Sequence, residues 1–423
     1  METLKEKLAA HPCFNEEARH TNARVHLPVA PKCNVQCNYC NRKYDCVNES
    51  RPGVTSSVLA PYQAAAYLKD LDTRIQNLTV IGIAGPGDPF ANAQETMETM
   101  RRVKAEFPDK LFCLSTNGLE LEPYIDEIAE LGVTHVTLTI NAVDPHISAL
   151  IYKWVRFDKH IYQGLAGAKI LLKHQLACIP KLKAKGITVK INSIIIPGIN
   201  EDHIEAVASK CASLGADVIN CIPLIPTAET AFAQYPAPDT RMIFKTRTLA
   251  SVHLKLMSHC ARCRADAAGL LGQDLSETHV LLKEYASQLD LKTEDRPYVA
   301  VATNEGLLVN LHLGEARKLY IFRQTSNGYK LVQERSTPKH GTGDQRWVDL
   351  ARVLSDCRAL LVSGVGETPK SILKSCDVHV IEMTGLIDEG LEGVFNNKVI
   401  RSIAKPDAFK CGSTCSGTAQ GCA

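Results

Sequence analysis

Six short apolar segments alternate with longer amphipathic segments between residues 25 and 225, and this alternation constrains the fold more than any other feature. Apolar runs followed by helical patterns are typical of βα units around a parallel sheet. The six predicted strands are residues 24–30, 78–84, 110–115, 133–140, 187–196 and 216–222. Six units predict an α/β fold, a partial (βα)6 barrel of the TIM type rather than a complete eight-stranded barrel.

The chain of 423 residues is long enough for two separately buried cores. Residues 292–297 are charged and polar and end in proline, a composition typical of a linker. We therefore predict a barrel with extensions at both ends over residues 1–291, a smaller α/β domain over 298–402 and a flexible tail over 403–423. In the smaller domain the patterns predict strands at 298–302, 318–322, 359–362 and 378–382, and helices at 346–357 and 368–374.

Charge and hydropathy argue against two classes of partner. Lysine and arginine number 48 and acidic residues 46, so the net charge of +2 predicts no broad nucleic-acid surface. Neither a signal peptide nor an apolar run of about 18 residues is evident, which predicts a soluble cytoplasmic protein with no membrane partner. In that compartment the 16 cysteines point to metal ligation or catalysis rather than disulfides.

Three cysteines follow the first predicted strand directly, in the spacing Cys33-x3-Cys37-x2-Cys40. A loop after a barrel strand lies at the mouth where barrel chemistry occurs. Three thiolates there can hold three irons of a [4Fe-4S] cube and leave the fourth open to a chelator. A structural zinc site or unrelated buried cysteines are the alternatives, but structural zinc sites use four ligands, typically in paired Cys-x2-Cys units. The motif resembles that of the radical S-adenosylmethionine (SAM) superfamily, which implies that SAM chelates the open iron and is cleaved to methionine and a 5′-deoxyadenosyl radical.

Other residues at the predicted strand ends resemble SAM contacts of that superfamily. The segment 84–89 follows the second strand, where the superfamily often carries a Gly-Gly-Glu-Pro motif, and its glycines permit close approach of backbone to a ligand. The candidate SAM-binding residues are Tyr39, Gly85, Gly87, Asp88, Ser115, Asn117 and Asn192. Glu49 and Arg51 are catalytic candidates beside the three cysteines, with ordinary loop-fixing or solvent-facing roles as the alternative.

The barrel region carries more potential iron ligands than SAM cleavage requires. The surplus residues are Cys13, His26, Cys46, Cys113, Cys260 and Cys263. Any one of them alone is more often a packing residue than a ligand. Their flanking sequences together resemble the NifB family across the whole barrel, through HPCFN (11–15), HLPVAPKC (26–33), DCVNESRPG (45–53), GPGDP (85–89) and HCARCRADA (259–267).

The NifB resemblance implies three [4Fe-4S] clusters, of which one binds SAM and two are auxiliary. By the family pattern, His26, Cys46 and Cys113 hold one auxiliary cluster, and Cys13, Cys260 and Cys263 hold the other. The implied reaction fuses the two auxiliary cubes with a SAM-derived carbide and an extra sulfur into the [8Fe-9S-C] precursor of the nitrogenase cofactor. Implied partners are cluster donor and reductant proteins and a downstream cofactor carrier or scaffold. Three protein ligands per cube, one of them a neutral imidazole, suit a cluster that is later released.

The smaller domain resembles the NifX-like cofactor-carrier family through VNLHLGEA (309–316) and GLIDEG (385–390). That resemblance implies a ribonuclease-H-like α/β fold that binds or passes on iron–sulfur cofactors. His312, Cys357 and Cys376 are candidates to contact the product, although both cysteines lie in apolar patterns that favour the core. Cys411, Cys415 and Cys422 in the tail suggest transient cluster handling, with disordered reactive thiols as the alternative.

Two other functions compete with cofactor assembly. The first is a radical SAM enzyme that modifies a peptide or RNA and uses its auxiliary clusters as electron relays. The second is a non-catalytic iron–sulfur carrier in which the NifX-like domain is the active part. Cubes that stay ligated after SAM turnover would favour the first, and absence of SAM cleavage would favour the second.

Overall fold

The computed structural model describes residues 10–44, 52–257, 259–261, 263–288, 296–339, 341–396 and 400. The chain divides into two units, Met1–Ala286 and Ser287–Ala423. Most of the predicted linker and the whole predicted tail lie outside the described residues. None of the described helices is both long enough and apolar enough to cross a membrane.

The first unit consists of strands and helices that alternate over most of its length. Its strands are β1 (Ala23–His26), β2 (Val35–Cys37), β3 (Lys43–Tyr44), β4 (Val54–Thr55), β5 (Leu78–Ile83), β6 (Leu111–Thr116), β7 (Val133–Thr139), β8 (Tyr152–Phe157), β9 (His160–Tyr162), β10 (Thr188–Ile195), β11 (Val218–Pro223), β12 (Lys255–Leu256), β13 (Ala268–Leu270) and β14 (Gln273–Asp274). Its α-helices are α1 (Pro61–Arg74), α2 (Ala93–Glu106), α3 (Ile125–Glu130), α4 (Pro145–Ile151), α5 (Gly164–Ala184), α6 (Ile204–Ser213), α7 (Thr240–Ser251) and α8 (Thr278–Ala286). Short 3-10 helices cover Ala18–His20, Pro89–Asn92 and Glu122–Tyr124.

The six predicted strands form one continuous parallel array. In the described part of the chain the main sheet has the order β12-β11-β10-β7-β6-β5-β1-β13-β14. Strands β1, β5, β6, β7, β10 and β11 pair in parallel, and β13 adds to β1 in the antiparallel direction. The strands are buried along most of their length because helices cover the outer face of the sheet. The predicted partial (βα)6 barrel is therefore confirmed.

The first strand is shorter than the sequence predicted. The apolar run 24–30 suggested one strand, but β1 ends at His26. Pro28 lacks a backbone N–H and so cannot extend the ladder. The chain meets the neighbouring segment again at an isolated bridge between Ala30 and Pro86. This departure from the sheet directs the following loop, with Cys33, toward the barrel interior.

The second unit is a smaller α/β fold. Its strands are β15 (Tyr298–Val301), β16 (Leu308–Val309), β17 (Lys318–Thr325), β18 (Gly328–Ser336), β19 (Cys357–Val362), β20 (His379–Glu382) and β21 (Gly385–Leu386), and its helices are α9 (Gln345–Val353), α10 (Glu367–Ser375) and α11 (Ile387–Asn396). The five-stranded sheet has the order β18-β17-β15-β19-β20, in which β15, β19 and β20 are parallel and β17 is antiparallel to both neighbours. The predicted small α/β domain is confirmed. The sequence prediction missed β16, β18, β21 and α11.

Candidate active site

One cavity of about 330 Å³ lies inside the partial barrel. Every predicted iron ligand that belongs to the described residues lines it: Cys13, His26, Cys33, Cys37, Cys40, Cys113, Cys260 and Cys263. The predicted SAM contacts that line it are Tyr39, Gly87, Asp88, Ser115, Asn117 and Asn192. Cys46, Glu49 and Arg51 lie outside the described residues. The structure therefore brings together residues from seven separate segments of the chain: 13, 26, 33–40, 87–88, 113–117, 192 and 260–263.

The loop that carries the three-cysteine motif is held by a short antiparallel pairing. Its central strand β2 pairs with β8, so that Cys37 lies opposite Tyr152. The amide of Cys40 donates to the carbonyl of Cys37 at 3.1 Å. The side-chain amide of Gln36 donates to the carbonyls of Cys37 and Cys40 at 3.1 and 2.9 Å. These bonds satisfy backbone acceptors between the last two thiols and fix the turn that separates them.

Burial controls the protonation of the thiols in this loop. It raises the pKa of Cys33 to about 12, and the nearby Asp88 carboxylate adds to that effect. Burial, followed by the charges of Cys40 and Cys33, raises the pKa of Cys37 well above its ordinary value. Without a metal these thiols therefore hold their protons at neutral pH, and binding of iron must displace them.

Asp88 joins the segment 84–89 to the end of β6. Its carboxylate accepts from the amide of Phe90 at 2.9 Å, from the amide of Asn117 at 2.6 Å and from the hydroxyl of Thr116 at 2.9 Å. The side chain is 3% exposed, and burial raises its pKa. Its oxygens thus fix two of the loops at the cavity, while a direct contact of Asp88 with SAM stays a prediction.

Gly87 is required by a close approach between two parts of the backbone. A Cβ atom there would lie 2.0 Å from the carbonyl oxygen of Lys32. The amide of Gly87 donates to the carbonyl of Ala30, and the amide of Asp88 donates to that of Lys32. The sequence predicted that this glycine lets backbone approach a ligand, and in the structure it lets the segment pack against the residue before Cys33. Gly85 is not part of the cavity lining.

Register across the sheet brings His26 and Cys113 to the same level of the barrel. His26 pairs with Gly82 on β5, and Gly82 pairs with Cys113 on β6. Neighbouring strands are about 4.8 Å apart, so the two backbone positions are separated by roughly 10 Å. The intervening residue has no side chain, and a Cβ at Gly82 would lie 2.6 Å from Cδ2 of His26. The glycine leaves room for the imidazole between the two strands.

The hydrogen bonding of His26 leaves one ring nitrogen available to a metal. Its Nδ1 is 2.9 Å from the carbonyl oxygen of Arg264, which can only accept a hydrogen bond, so Nδ1 carries the proton. Burial and the charge of Arg24 lower the pKa of His26 to about 4, which keeps the ring neutral. A neutral imidazole with one nitrogen bonded to a carbonyl is the usual state of a metal-ligating histidine.

Arg24 supports Cys263 from the side of the sheet. Its guanidinium donates to the Cys263 sulfur at 3.1 Å and pairs with Asp274 at 2.5 Å. Both contacts follow from the antiparallel pairing of β13 with β1, which sets Arg24 opposite Gly269. Burial raises the pKa of Cys263 to about 11, and the charge of Arg24 is the strongest opposing influence. This cation therefore favours the thiolate form that iron needs.

An aromatic cluster closes the lower part of the barrel next to Cys13. The ring of His135, near the amino end of β7, lies 4.3 Å from those of His11 and Phe14. The amide of Cys13 donates to Nδ1 of His11 at 3.1 Å. Burial raises the pKa of Cys13, and the charges of Lys190 and Arg24 oppose that shift. The segment around Cys13 is thus anchored inside the sheet.

The sequence prediction missed several polar residues of the cavity wall. Lys190 on β10 and Asn220 on β11 both line the cavity and are 7% and 1% exposed. The Oδ1 atom of Asn220 has no hydrogen-bond partner among the described residues, whereas its amide donates to Asn192 at 3.3 Å. A buried acceptor without a partner is unusual and is available to a ligand. In the sequence, the only indication of these residues is that each is an isolated polar residue inside an apolar strand.

The donor set fits iron–sulfur cubes better than it fits a single ion. Among the described residues, no three His, Cys, Asp or Glu side chains lie close enough together to hold one metal ion. A cube distributes its protein ligands over separate irons, so the ligands should line a common wall without meeting at one point. Soft thiols and one neutral imidazole are also ligand types that suit iron–sulfur clusters.

The three candidate residues of the second unit, His312, Cys357 and Cys376, lie in different environments. Cys357 is fully buried in the hydrophobic core, as its apolar pattern favoured. Cys376 is exposed, so its expected core position is wrong. It lies just beyond the last residue of α10, next to Lys374 and Ser375, which are also exposed. His312 is bridged to Gly364 and accepts at Nδ1 from the amide of Gly314.

Comparisons with known proteins find a family match in each of the two units. A family described as the radical SAM superfamily matches residues 27–211, and one described as dinitrogenase iron-molybdenum cofactor matches residues 296–397. The FeMo cofactor biosynthesis protein NifB of Chlorobaculum tepidum is 49% identical over 97% of this chain and 98% of the relative. NifB of Klebsiella pneumoniae is 40% identical over 86% of this chain and 85% of the relative. Among solved structures, Streptococcus suis SuiB is 10% identical, covers 57% of this chain and 51% of its own, and has a TM-score of 0.41.

Proposed function

The chain belongs to the NifB family of radical SAM proteins, and from that membership we propose that it fuses two [4Fe-4S] clusters, a SAM-derived carbide and an extra sulfur into the [8Fe-9S-C] precursor of the nitrogenase cofactor. The observation that carries the proposal is the convergence of eight candidate ligands on one cavity. Cleavage of SAM would need only three of them.

In this proposal Cys33, Cys37 and Cys40 hold the resident cluster. The resident cluster would supply an open iron for SAM and the electron that cleaves it. The Asp88 amide donates to the carbonyl of Lys32, and its carboxylate accepts from the amide of Asn117, so Asp88 holds the cavity wall in place around SAM. Asn192 and the unpartnered acceptor of Asn220 offer polar contacts to a nucleoside deeper in the cavity.

The substrate clusters are assigned to the remaining ligands, His26, Cys46 and Cys113 for one and Cys13, Cys260 and Cys263 for the other. The short separation between the two sets supports their fusion. Besides burial, the charges of Cys13 and Cys263 raise the pKa of Cys113, so thiols of the two sets lie within electrostatic reach. His26 offers a neutral nitrogen, which is more easily displaced by protonation than a thiolate.

The proposed chemistry uses two molecules of SAM. One donates its methyl group to a sulfide of a substrate cluster and leaves as S-adenosylhomocysteine. The radical from the other abstracts one hydrogen from that methyl group and becomes 5′-deoxyadenosine, and the two hydrogens that remain on the carbon leave as protons as the carbon bonds iron. The apolar side chains of Ile194, Ile222, Leu224 and Met257 line the cavity and restrict water around these reactants. The second unit would accept the product or pass it to a carrier or scaffold protein.

The test is anaerobic reconstitution of the full chain followed by SAM and a reductant. We expect 5′-deoxyadenosine, S-adenosylhomocysteine and a cluster that can be transferred to a cofactor acceptor. Deoxyadenosine without S-adenosylhomocysteine would favour a peptide- or RNA-modifying enzyme whose auxiliary clusters only relay electrons. Absence of both SAM products would favour a carrier.

The ligand assignment is tested by Cys113→Ala. We expect loss of one auxiliary cluster while reductive cleavage of SAM survives, because the resident cluster has other ligands. Cys211→Ala is the matched control, since Cys211 is a buried core residue outside the cavity lining. Loss of the SAM-binding cluster in Cys113→Ala, but not in the control, would contradict the assignment.

A further inference from the structure

Lys190 is a buried cation with no carboxylate partner among the described residues. It lies on β10, lines the cavity and is 7% exposed. Its Nζ atom is 3.8 Å from the sulfur of Met257 and 5.2 Å from the centre of the Phe14 ring. It forms no ion pair with any residue in the described part of the chain.

A buried ammonium group is costly unless an anion compensates its charge. A second buried cation, Arg24, contacts Cys263 of the cavity lining and pairs with Asp274 at 2.5 Å. Among the described residues no carboxylate pairs with Lys190 in the same way. The compensating anion is therefore expected to come from whatever occupies the cavity.

Two hydroxyl groups lie in register with Lys190 on the neighbouring strands. Thr137 on β7 pairs with Lys190, and Ser115 on β6 pairs with Thr137. Both residues line the cavity, and neither hydroxyl forms a hydrogen bond with another described residue. With strands about 4.8 Å apart, the three side chains extend over roughly 10 Å of wall. This row presents two hydroxyl donors and one ammonium group to the interior.

The row faces the region assigned to the substrate clusters. Ser115 lies two residues after Cys113 on β6, so the two side chains are on the same face of that strand. The Nζ atom of Lys190 lies 5.2 Å from the ring of Phe14, the residue that follows Cys13. The row therefore lies beside one thiol from each of the two auxiliary ligand sets. Clusters held by thiolates carry negative charge on their sulfurs, and nearby positive charge and hydrogen bonds to those sulfurs tune their potentials.

We propose that Lys190, with the hydroxyls of Ser115 and Thr137, forms an anion subsite that binds the sulfide face of the cluster substrates and of their fused product. This inference rests on the proposed function and adds a binding residue to it. The ammonium group compensates cluster charge, and the hydroxyls donate to cluster sulfides. All three would hold the growing cluster after protein thiols release it.

The test compares Lys190→Met with Lys190→Arg in the reconstituted full-length chain. Lys255→Met is the matched control, because Lys255 is an exposed lysine at the edge of the same sheet. Redox titration followed by electron paramagnetic resonance gives the midpoint potential of each cluster. A nearby positive charge stabilises the reduced form of a cluster, so its removal lowers the midpoint potential. We therefore expect Lys190→Met to lower the potentials of the auxiliary clusters by more than it lowers that of the SAM-binding cluster. Lys190→Arg should restore the auxiliary potentials, and the control should leave all three unchanged.

Selective loss of the auxiliary clusters in Lys190→Met, with SAM cleavage retained, would also support the subsite. Unchanged auxiliary potentials, or an equal change or loss for all three clusters, would overturn it. If only the uptake of an added inorganic sulfur anion fell while the potentials stayed the same, the site would bind a free anion instead, which contradicts the assignment to clusters. Failure of the unaltered chain to form a fused cluster would refute the proposed function, whereas the potentials would still report on Lys190.

Discussion

Gly82→Ala should disable one auxiliary cluster site by displacing a single imidazole. Gly82 lies between His26 and Cys113 in the register of the sheet. The added Cβ atom would lie 2.6 Å from Cδ2 and 3.1 Å from Nε2 of His26. Because both Gly82 and His26 line the cavity, the added methyl group would enter the space that the ring occupies.

The size of the effect follows from that distance. Ordinary contact begins at 3.4 Å, so the ring must move by 3.4 minus 2.6, or at least 0.8 Å. Metal sites require ligand distances within about 0.2 Å, and functional groups generally need placement within about 0.5 Å. The ring cannot simply rotate in place without losing the bond from Nδ1 to the carbonyl of Arg264. We therefore expect Gly82→Ala to lose His26 as a ligand.

The assay counts iron per chain and resolves the auxiliary clusters by electron paramagnetic resonance. Gly82→Ala should lose the same auxiliary signal as His26→Ala and should keep SAM cleavage. The double variant is the control, because removal of the imidazole removes the clash, and the two changes should then be non-additive. Full auxiliary occupancy in Gly82→Ala would refute the reasoning. If the losses in the double variant were additive, the effect of Gly82→Ala would not depend on the His26 imidazole.

Three further predictions follow from the same cavity wall. Asp88→Asn should destabilise the metal-free fold by about 1–3 kcal/mol in urea unfolding, because an amide group would face buried N–H donors, and an unchanged midpoint would contradict this. Arg24→Met should lower auxiliary iron content, since Cys263 loses its N–H donor, and full occupancy would argue against that role. The metal-free protein should lose stability as pH falls from 6.5 toward 3, because burial lowers the pKa of His26 to about 4 and that of His135 to about 3, so the unfolded chain takes up protons first. Denaturant midpoints across this range test it, and a flat profile, or one that His135→Phe leaves equally steep, would contradict it.

The sequence predicted the barrel because its evidence is local. Each parallel strand is an apolar run followed by a helical pattern, and neither signal depends on distant contacts. The three-cysteine loop was also predictable, since its ligands lie within eight residues of one another. The convergence of Cys13 and Cys263 on that loop needed family resemblance, because the pairing of β13 with β1 joins positions about 240 residues apart.

Other features had no sequence signal strong enough to use. The hairpin of β8 and β9 fixes the cluster loop, yet its two-residue turn is Asp158-Lys159 rather than a pair with glycine. Both turn residues have positive φ, at 48° and 63°, which sequence patterns assign mainly to glycine or asparagine. Lys190 was missed for a different reason. A lysine within an apolar strand only interrupts the apolar pattern of the sequence. The register of the sheet is needed to show that it faces the cavity beside Thr137.

Mössbauer spectroscopy of the full chain reconstituted with iron-57, before and after SAM and reductant, tests cluster fusion most directly. The proposal predicts three cubes beforehand and, afterwards, one remaining cube together with a single eight-iron species. Three unchanged cubes in a sample that has consumed SAM would contradict it.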